Sequence, residues 1–324
     1  MKHTWKITLF LISLFLITQI FGIFTVSRNI EVKKDVVTGV VTVKHQETIV
    51  GEPPKTESGY ESVSIIIIAV IAGTLLLLLL IKLNISRLWK YWYLVAVIMT
   101  MAITFGVYIK LGSNIRILST NLNQIIILSL AIILAWYKIY KRDILIHNIT
   151  EVFIYTGIAV LFVRMFEGYL WAAFLILIII SFYDMFAVWM SKHMIKIAEY
   201  QTKNKIFAGL SIPYKPQPPT KTKGYFKETQ TKKKGIRTAV LGGGDIAFPL
   251  IFSGSVMSDL IIKQGIEKSS AVALTSIISI TTTFALLYLF IKAEKDRFYP
   301  AMPYLTIGCL IGYLFIINLV AILL

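Results

Sequence analysis

Apolar residues run along this chain in long blocks rather than at the spacing of a half-buried surface. The blocks lie near residues 7–26, 62–81, 91–109, 117–137, 144–163, 168–190, 238–258, 269–291 and 304–324. A hydrocarbon core about 30 Å thick needs about 20 mostly apolar residues, because each helical residue rises about 1.5 Å. The pattern therefore predicts an all-α, polytopic membrane protein with nine transmembrane helices. Lys2 and Lys6 precede the first block as in a signal peptide. Its apolar core is too long for that, however, and no small-residue cleavage site follows, so it counts as a span. The least apolar blocks are the fourth, with Asn121, Asn123 and Gln124, and the fifth, which opens on His147, Asn148 and Glu151.

Two connections are long. Residues 27–61 alternate in part between Val36 and Val50, which predicts a small β-hairpin. Residues 191–237 hold Pro213, Pro216, Pro218 and Pro219 and then a Lys-rich run, the composition of a mobile, solvated connection. The expected organisation is a six-helix part over 1–190, a hydrophilic cytoplasmic loop over 191–237, and a three-helix part over 238–324.

Composition agrees with the pattern. Hydrophobic residues make up 56% of the 324 and charged residues 15%, against about 25% charged in a soluble domain. The net charge of +16 has a position along the chain. With the N-terminus inside, 23 of the 33 Lys and Arg fall on the cytoplasmic side, 12 of them in 192–237, and 10 fall outside. The positive-inside rule then places the N-terminus in the cytoplasm and the C-terminus outside. Basic residues spread over loops leave no room for a nucleic-acid-binding fold, so no nucleic-acid partner is expected. The single Cys309 excludes a disulfide framework and any multi-thiolate metal site.

Acids inside spans carry the chemistry. A charge at the bilayer centre costs about 2.5–3.5 kcal/mol on insertion scales, so such an acid is a functional residue by default. Asp184 lies eight residues before Lys192 in the sixth block, and Asp245 lies eight residues after Arg237 in the seventh. At about 1.5 Å per residue, each sits about 12 Å from the cytoplasmic end of its helix. Two carboxyls at one depth on consecutive antiparallel helices can meet and share a proton. One then takes a proton from water while the other gives one to a scissile carbonyl, as in aspartic proteases. A proton-coupled transporter or ion leak channel could use the same two acids, and the pair alone leaves both readings open.

Glu151 also lies eight residues past a cytoplasmic marker, Asp143. His147, Asn148 and Thr150 put the membrane entry later, so Glu151 is expected at the headgroups. Arg164, Glu167 and Asp259 sit at span ends and are expected to be solvated. Gly242, Gly243 and Gly244 before Asp245, and Pro249 after it, predict irregular backbone, which survives at membrane depth only against protein or water. Pro300-Ala301-Met302-Pro303 predicts no regular helix until after Pro303. That leaves an extended stretch able to hold an unwound substrate by strand pairing. A zinc protease needs H-E-x-x-H, and His3, His45, His147 and His193 show no such spacing. No metal or cofactor is expected. A serine protease needs a basic partner within the membrane, and only His147 is near a span, at its edge.

Tyr183-Asp184 in a sixth span, Gly242-Gly243-Gly244-Asp245 in a seventh and Pro300-Ala301-Met302-Pro303 before a ninth resemble the YD, GxGD and PAL signatures of presenilins and signal peptide peptidases. The nine-span layout extends the resemblance over nearly the whole chain. It implies an intramembrane aspartyl protease with Asp184 and Asp245 as catalytic dyad, and with Tyr183, the three glycines and the proline segment shaping the site or holding substrate. It further implies transmembrane peptide substrates within membrane lipid and activity without partner subunits. The compact chain is most similar to archaeal members, which implies an archaeal plasma membrane. The N-in orientation is similar to presenilin, whereas signal peptide peptidase is inverted. Met302 stands where the family usually has Leu, and Gly243 where eukaryotic members often have Leu. Prepilin peptidases share GxGD but lack the other two signatures.

Overall fold

The computed structural model describes residues 5–34, 41–46, 48–54, 56–83, 85–109, 120–141, 143–191, 197, 200–201, 207–214, 237–294 and 299–323. The Lys-rich run, Pro216, Pro218, Pro219 and Arg297 lie outside these residues.

Among the described residues nine long helices follow one another: α1 (Trp5–Asn29), α2 (Gly59–Lys82), α3 (Ser86–Ile109), α4 (Thr120–Trp136), α5 (Ile144–Met165), α6 (Leu170–Met185), α7 (Gly243–Ile262), α8 (Lys268–Lys292) and α9 (Met302–Leu323). Short π-helical turns, Tyr137–Lys141 and Phe186–Met190, extend α4 and α6. Among the described residues nine helices are long and apolar enough to cross a membrane, as the block pattern predicts.

Their burial sets their roles. Of the most apolar window of α7, 78% is buried against protein, whereas the figure for α2 is 17%. A helix that is apolar all round is buried or faces lipid. Hence α7 is the axis of the bundle and α2 turns most of its surface to lipid. α7 packs against α1, α5, α6, α8 and α9, while α2 meets mainly α6 and α3.

Lipid tails are as apolar as leucine, so helices associate through close packing and hydrogen bonds rather than through burial from water. Small residues permit that approach. Gly308 and Gly312, one turn apart on α9, face α8 so closely that a Cβ at Gly312 would lie 2.7 Å from Ile278 Cα. The Thr281 hydroxyl donates to Gly308 O at 2.8 Å across the same contact. On α1 the fully buried Gln19 donates from Nε2 to Ile246 O at 2.9 Å, which ties the first helix to the start of α7.

Two hairpins interrupt the helices. β1 (Ile30–Lys34) pairs antiparallel with β2 (Val41–His45), Ile30 opposite His45. The alternation in 27–61 predicts such a hairpin, and it forms a few residues earlier than Val36–Val50. Beside it the expectation of solvated span ends fails for two residues. Glu167 meets His45 Nε2 at 2.5 Å, and the guanidinium of Arg164, little exposed, lies 3.6 Å from Glu52.

The second hairpin changes the reading of the hydrophilic connection. β3 (Gly209–Tyr214) lies within 191–237 and pairs antiparallel with β4 (Arg237–Gly242), Gly209 opposite Gly242. The seventh span therefore begins at Gly243 and not at 238. Thr238, Ala239, Val240 and Leu241 are as apolar as a helix start but β-branched in part, and pairing with β3 decides their conformation. Pro213 fits the strand because its pair with Thr238 carries no ladder bond from its nitrogen.

Candidate active site

Asp184 lies in the last turn of α6, 8% exposed. Asp245 lies in the first turn of α7, immediately after β4, and is partly buried. The structure brings these two carboxyls, far apart in sequence, close enough to interact electrostatically.

Each acid lies against backbone at a helix start. Met302 N–H donates to Asp184 Oδ2 at 3.1 Å, and the N–H of Ala301 also points at that carboxyl. These groups open α9, whose first N–H groups have no partner within the helix. Ser181 and Thr306 hydroxyls, 2.6 Å apart, fasten α6 to α9 one turn away. The expectation that regular helix waits until after Pro303 is corrected: α9 begins at Met302. Proline is tolerated in a first turn because the N–H it lacks would be unsatisfied there anyway. Pro300 and Ala301 remain non-helical, and all three of Pro300, Ala301 and Met302 are buried.

Asp245 folds back on its own N-cap. Its carboxyl lies over the Gly242 backbone at the N-terminal end of α7. Pro249 has no N–H for the carbonyl of Asp245, which frees that carbonyl one turn into the helix.

The three glycines divide their tasks. Gly242 ends β4, and a Cβ there would lie 3.1 Å from Asp245 Oδ2. Gly243 lies against Tyr155 of α5, where a Cβ would come 2.5 Å from the phenol oxygen. Gly244 is exposed, with Phe248 nearby. Tyr183 reaches α2, its hydroxyl 3.1 Å from Thr74 Oγ1. Adjacent helical residues point about 100° apart, so Tyr183 locks α6 to α2 while Asp184 faces α7 and α9.

A second polar group lies beside this site, and sequence reasoning misplaced it. Glu151, expected at the headgroups, is 1% exposed and so packed inside the protein. Lys138, read as a loop cation, is buried in the π-helical turn after α4, with Nζ 2.5 Å from Glu151 Oε1. The same Nζ lies 3.3 Å from His147 Nδ1. His147, Glu151 and Tyr155 recur every four residues on α5 and so share one face, which ends at Gly243. That spacing was the available signal for the cluster. Among the described residues no group of three or more His, Cys, Asp or Glu side chains is placed to hold a metal ion.

Comparison with known proteins identifies the family and a similar fold. The family profile described as "Signal-peptide peptidase, presenilin aspartyl protease" matches residues 9–322. No curated protein matches the chain significantly. Among solved structures, one titled "Structure of a presenilin family intramembrane aspartate protease in C222 space group" is similar in fold, with a TM-score of 0.60 at 18% identity. The alignment covers 96% of this chain and 99% of that one. The profile match over nearly its whole length makes this integral membrane protein a member of the signal peptide peptidase and presenilin family of aspartyl proteases.

Proposed function

We propose that this protein hydrolyses peptide bonds within single-span transmembrane helices or remnant signal peptides, using Asp184 and Asp245 as a dyad and a water as nucleophile. The observation that carries the reading is that the two acids lie near enough to interact electrostatically, with Asp184 bonded to Met302 N–H at the start of α9 and Asp245 lying against the N-cap backbone of α7. One carboxylate, sharing a proton with its neighbour, removes a proton from water. The other donates to the scissile carbonyl oxygen, which gives a tetrahedral diol. The first then passes the proton it took from water to the amide nitrogen, the C–N bond breaks, and the diol returns a proton to the second carboxylate as the carboxylic product forms.

A helical peptide bond is shielded by its own turn, so substrate must unwind. The proline segment cannot serve as the receiving strand, since Met302 is already helical. β4 can. It leads directly into the first turn that carries Asp245, and among the described residues β3 covers one of its edges only. In an antiparallel ladder, backbone groups alternate between the two edges. Ser211 turns its own away from β4, so its partner Val240 presents its N–H and C=O on the open side. An unwound segment pairing there would extend beside the dyad.

The 12 basic residues of 192–237 place that connection, the hairpin and both acids toward the cytoplasm, with the N-terminus inside and the C-terminus outside. The test is incubation of purified protein in detergent with a single-span peptide, read by mass spectrometry. Cleavage within the apolar stretch supports the reading. An intact peptide, together with proton or ion flux in vesicles, would assign the same acids to a transporter or leak pathway.

A further inference from the structure

β3 has two edges, and its outer one is sealed by side chains rather than by a strand. Along that edge the backbone of three alternate residues is engaged. Tyr93 Oη of α3 lies 3.3 Å from Phe207 O and 3.4 Å from Glu151 Oε1. His147 Nε2 lies 2.9 Å from Gly209 O. Asn148 makes two bonds to Ser211: its Nδ2 donates to Ser211 O at 3.0 Å, and Ser211 N–H donates to its Oδ1 at 3.0 Å. Residues 207, 209 and 211 project toward one edge of an extended chain. Three side chains from α3 and α5 thus stand in for a third strand.

The seal is ordered from behind. Lys138 is a donor only, so its contact with His147 Nδ1 makes that nitrogen the acceptor and leaves Nε2–H to donate to Gly209 O. Glu151 holds Lys138 and is the second neighbour of the Tyr93 hydroxyl. Gly209 itself has φ of +147°, and a Cβ there would strike Leu241 O and Phe207, so the chain enters β3 by one route.

We propose that Tyr93, His147 and Asn148 form a positioning clamp that fixes the register of the β3–β4 hairpin relative to the dyad, and thereby selects which substrate bond is cut. This rests on the proposed proteolysis and the pairing of substrate with β4. The clamp touches no reacting atom. It holds β3, β3 holds β4, and β4 ends at Gly242, whose backbone lies against the Asp245 carboxyl. A weakly specified register slips, and a slip changes which residues face which groups.

The experiment is the distribution of cleavage products of one single-span peptide, measured by mass spectrometry with kcat and KM, for wild type, Asn148→Ala, His147→Leu, His147→Gln and Asp245→Asn. His147→Leu, which loses one buried hydrogen bond, lowers kcat about tenfold, and Asn148→Ala, which loses two, lowers it further. They also spread the cuts over neighbouring bonds. His147→Gln keeps an N–H donor near the Nε2 position and retains the wild-type cut pattern. Loss of fold alone would lower yield and active fraction without moving the cut sites. If Asn148→Ala does not fold, the two His147 variants decide the matter. Asp-dependent cleavage with an unchanged cut pattern in the folded Asn148 or His147 variants overturns the clamp. Failure of wild type to cleave, or cleavage that survives Asp245→Asn, instead overturns the protease reading beneath it.

Discussion

Replacing Lys138 by Met tests whether the buried cluster beside the dyad is held by charge pairing. Lys138 Nζ and Glu151 Oε1 are 2.5 Å apart, and both side chains are 1% exposed. At an effective dielectric of about 20, Coulomb's law gives an attraction of about 7 kcal/mol at that distance. Desolvation of the two ions offsets most of it, at several kcal/mol per ion, so the pair is worth little compared with two well-packed apolar side chains. A single replacement behaves differently, because it leaves one charge buried without a partner, at a cost of about 3–5 kcal/mol. Lys138→Met and Glu151→Leu should therefore each destabilise by that amount. The double variant should lie within about 1–2 kcal/mol of wild type, a strongly non-additive cycle. Reversible denaturant unfolding in mild detergent micelles measures all four proteins. Additive losses, or single variants as stable as wild type, would refute the reasoning and place these residues in a wetter setting than the structure shows.

Two further outcomes follow from particular contacts. Gly243→Leu overpacks against the buried Tyr155 and should lower stability by about 1–3 kcal/mol with loss of cleavage. Adding Tyr155→Ala should restore part of both, and a Gly243→Leu protein as stable and active as wild type would contradict that contact. Lys223→Cys in the hydrophilic connection should resist an impermeant thiol reagent applied outside intact cells, and labelling from outside would invert the proposed topology.

The nine spans were legible because the length of an apolar block is itself the signal in a membrane protein. Asp184 and Asp245 were legible for the converse reason, since an acid within such a block stands out against its cost. The hairpin of β3 and β4 was not. β3 is a short segment with Pro213 inside it, within a connection whose composition reads as solvated, and only pairing with residues 237–242 makes it a strand. Its partner was absorbed into the seventh block because Ala239, Val240 and Leu241 are apolar in either conformation. Lys138 and Glu151 were misplaced because a sequence counts each charge singly. Burial of both becomes affordable only once they meet, across a turn between two helices. Met302 was read as extended because two prolines flank it nearly. Asp184 supplies the acceptor that lets the helix begin there.

The central claim, that Asp184 and Asp245 act as one catalytic unit, is tested most directly by the kinetics of Asp184→Asn, Asp245→Asn and the double variant on one single-span peptide. Asn keeps the size of the side chain and some of its hydrogen bonding while removing a charge that is costly in the membrane, so the fold should persist. Each single variant should lose cleavage entirely, and the double should be no worse, because groups that act as a unit are not additive. Wild type should show a bell-shaped pH–rate profile whose apparent pKa values belong to the pair. Substantial peptide cleavage by either folded single variant would contradict the account.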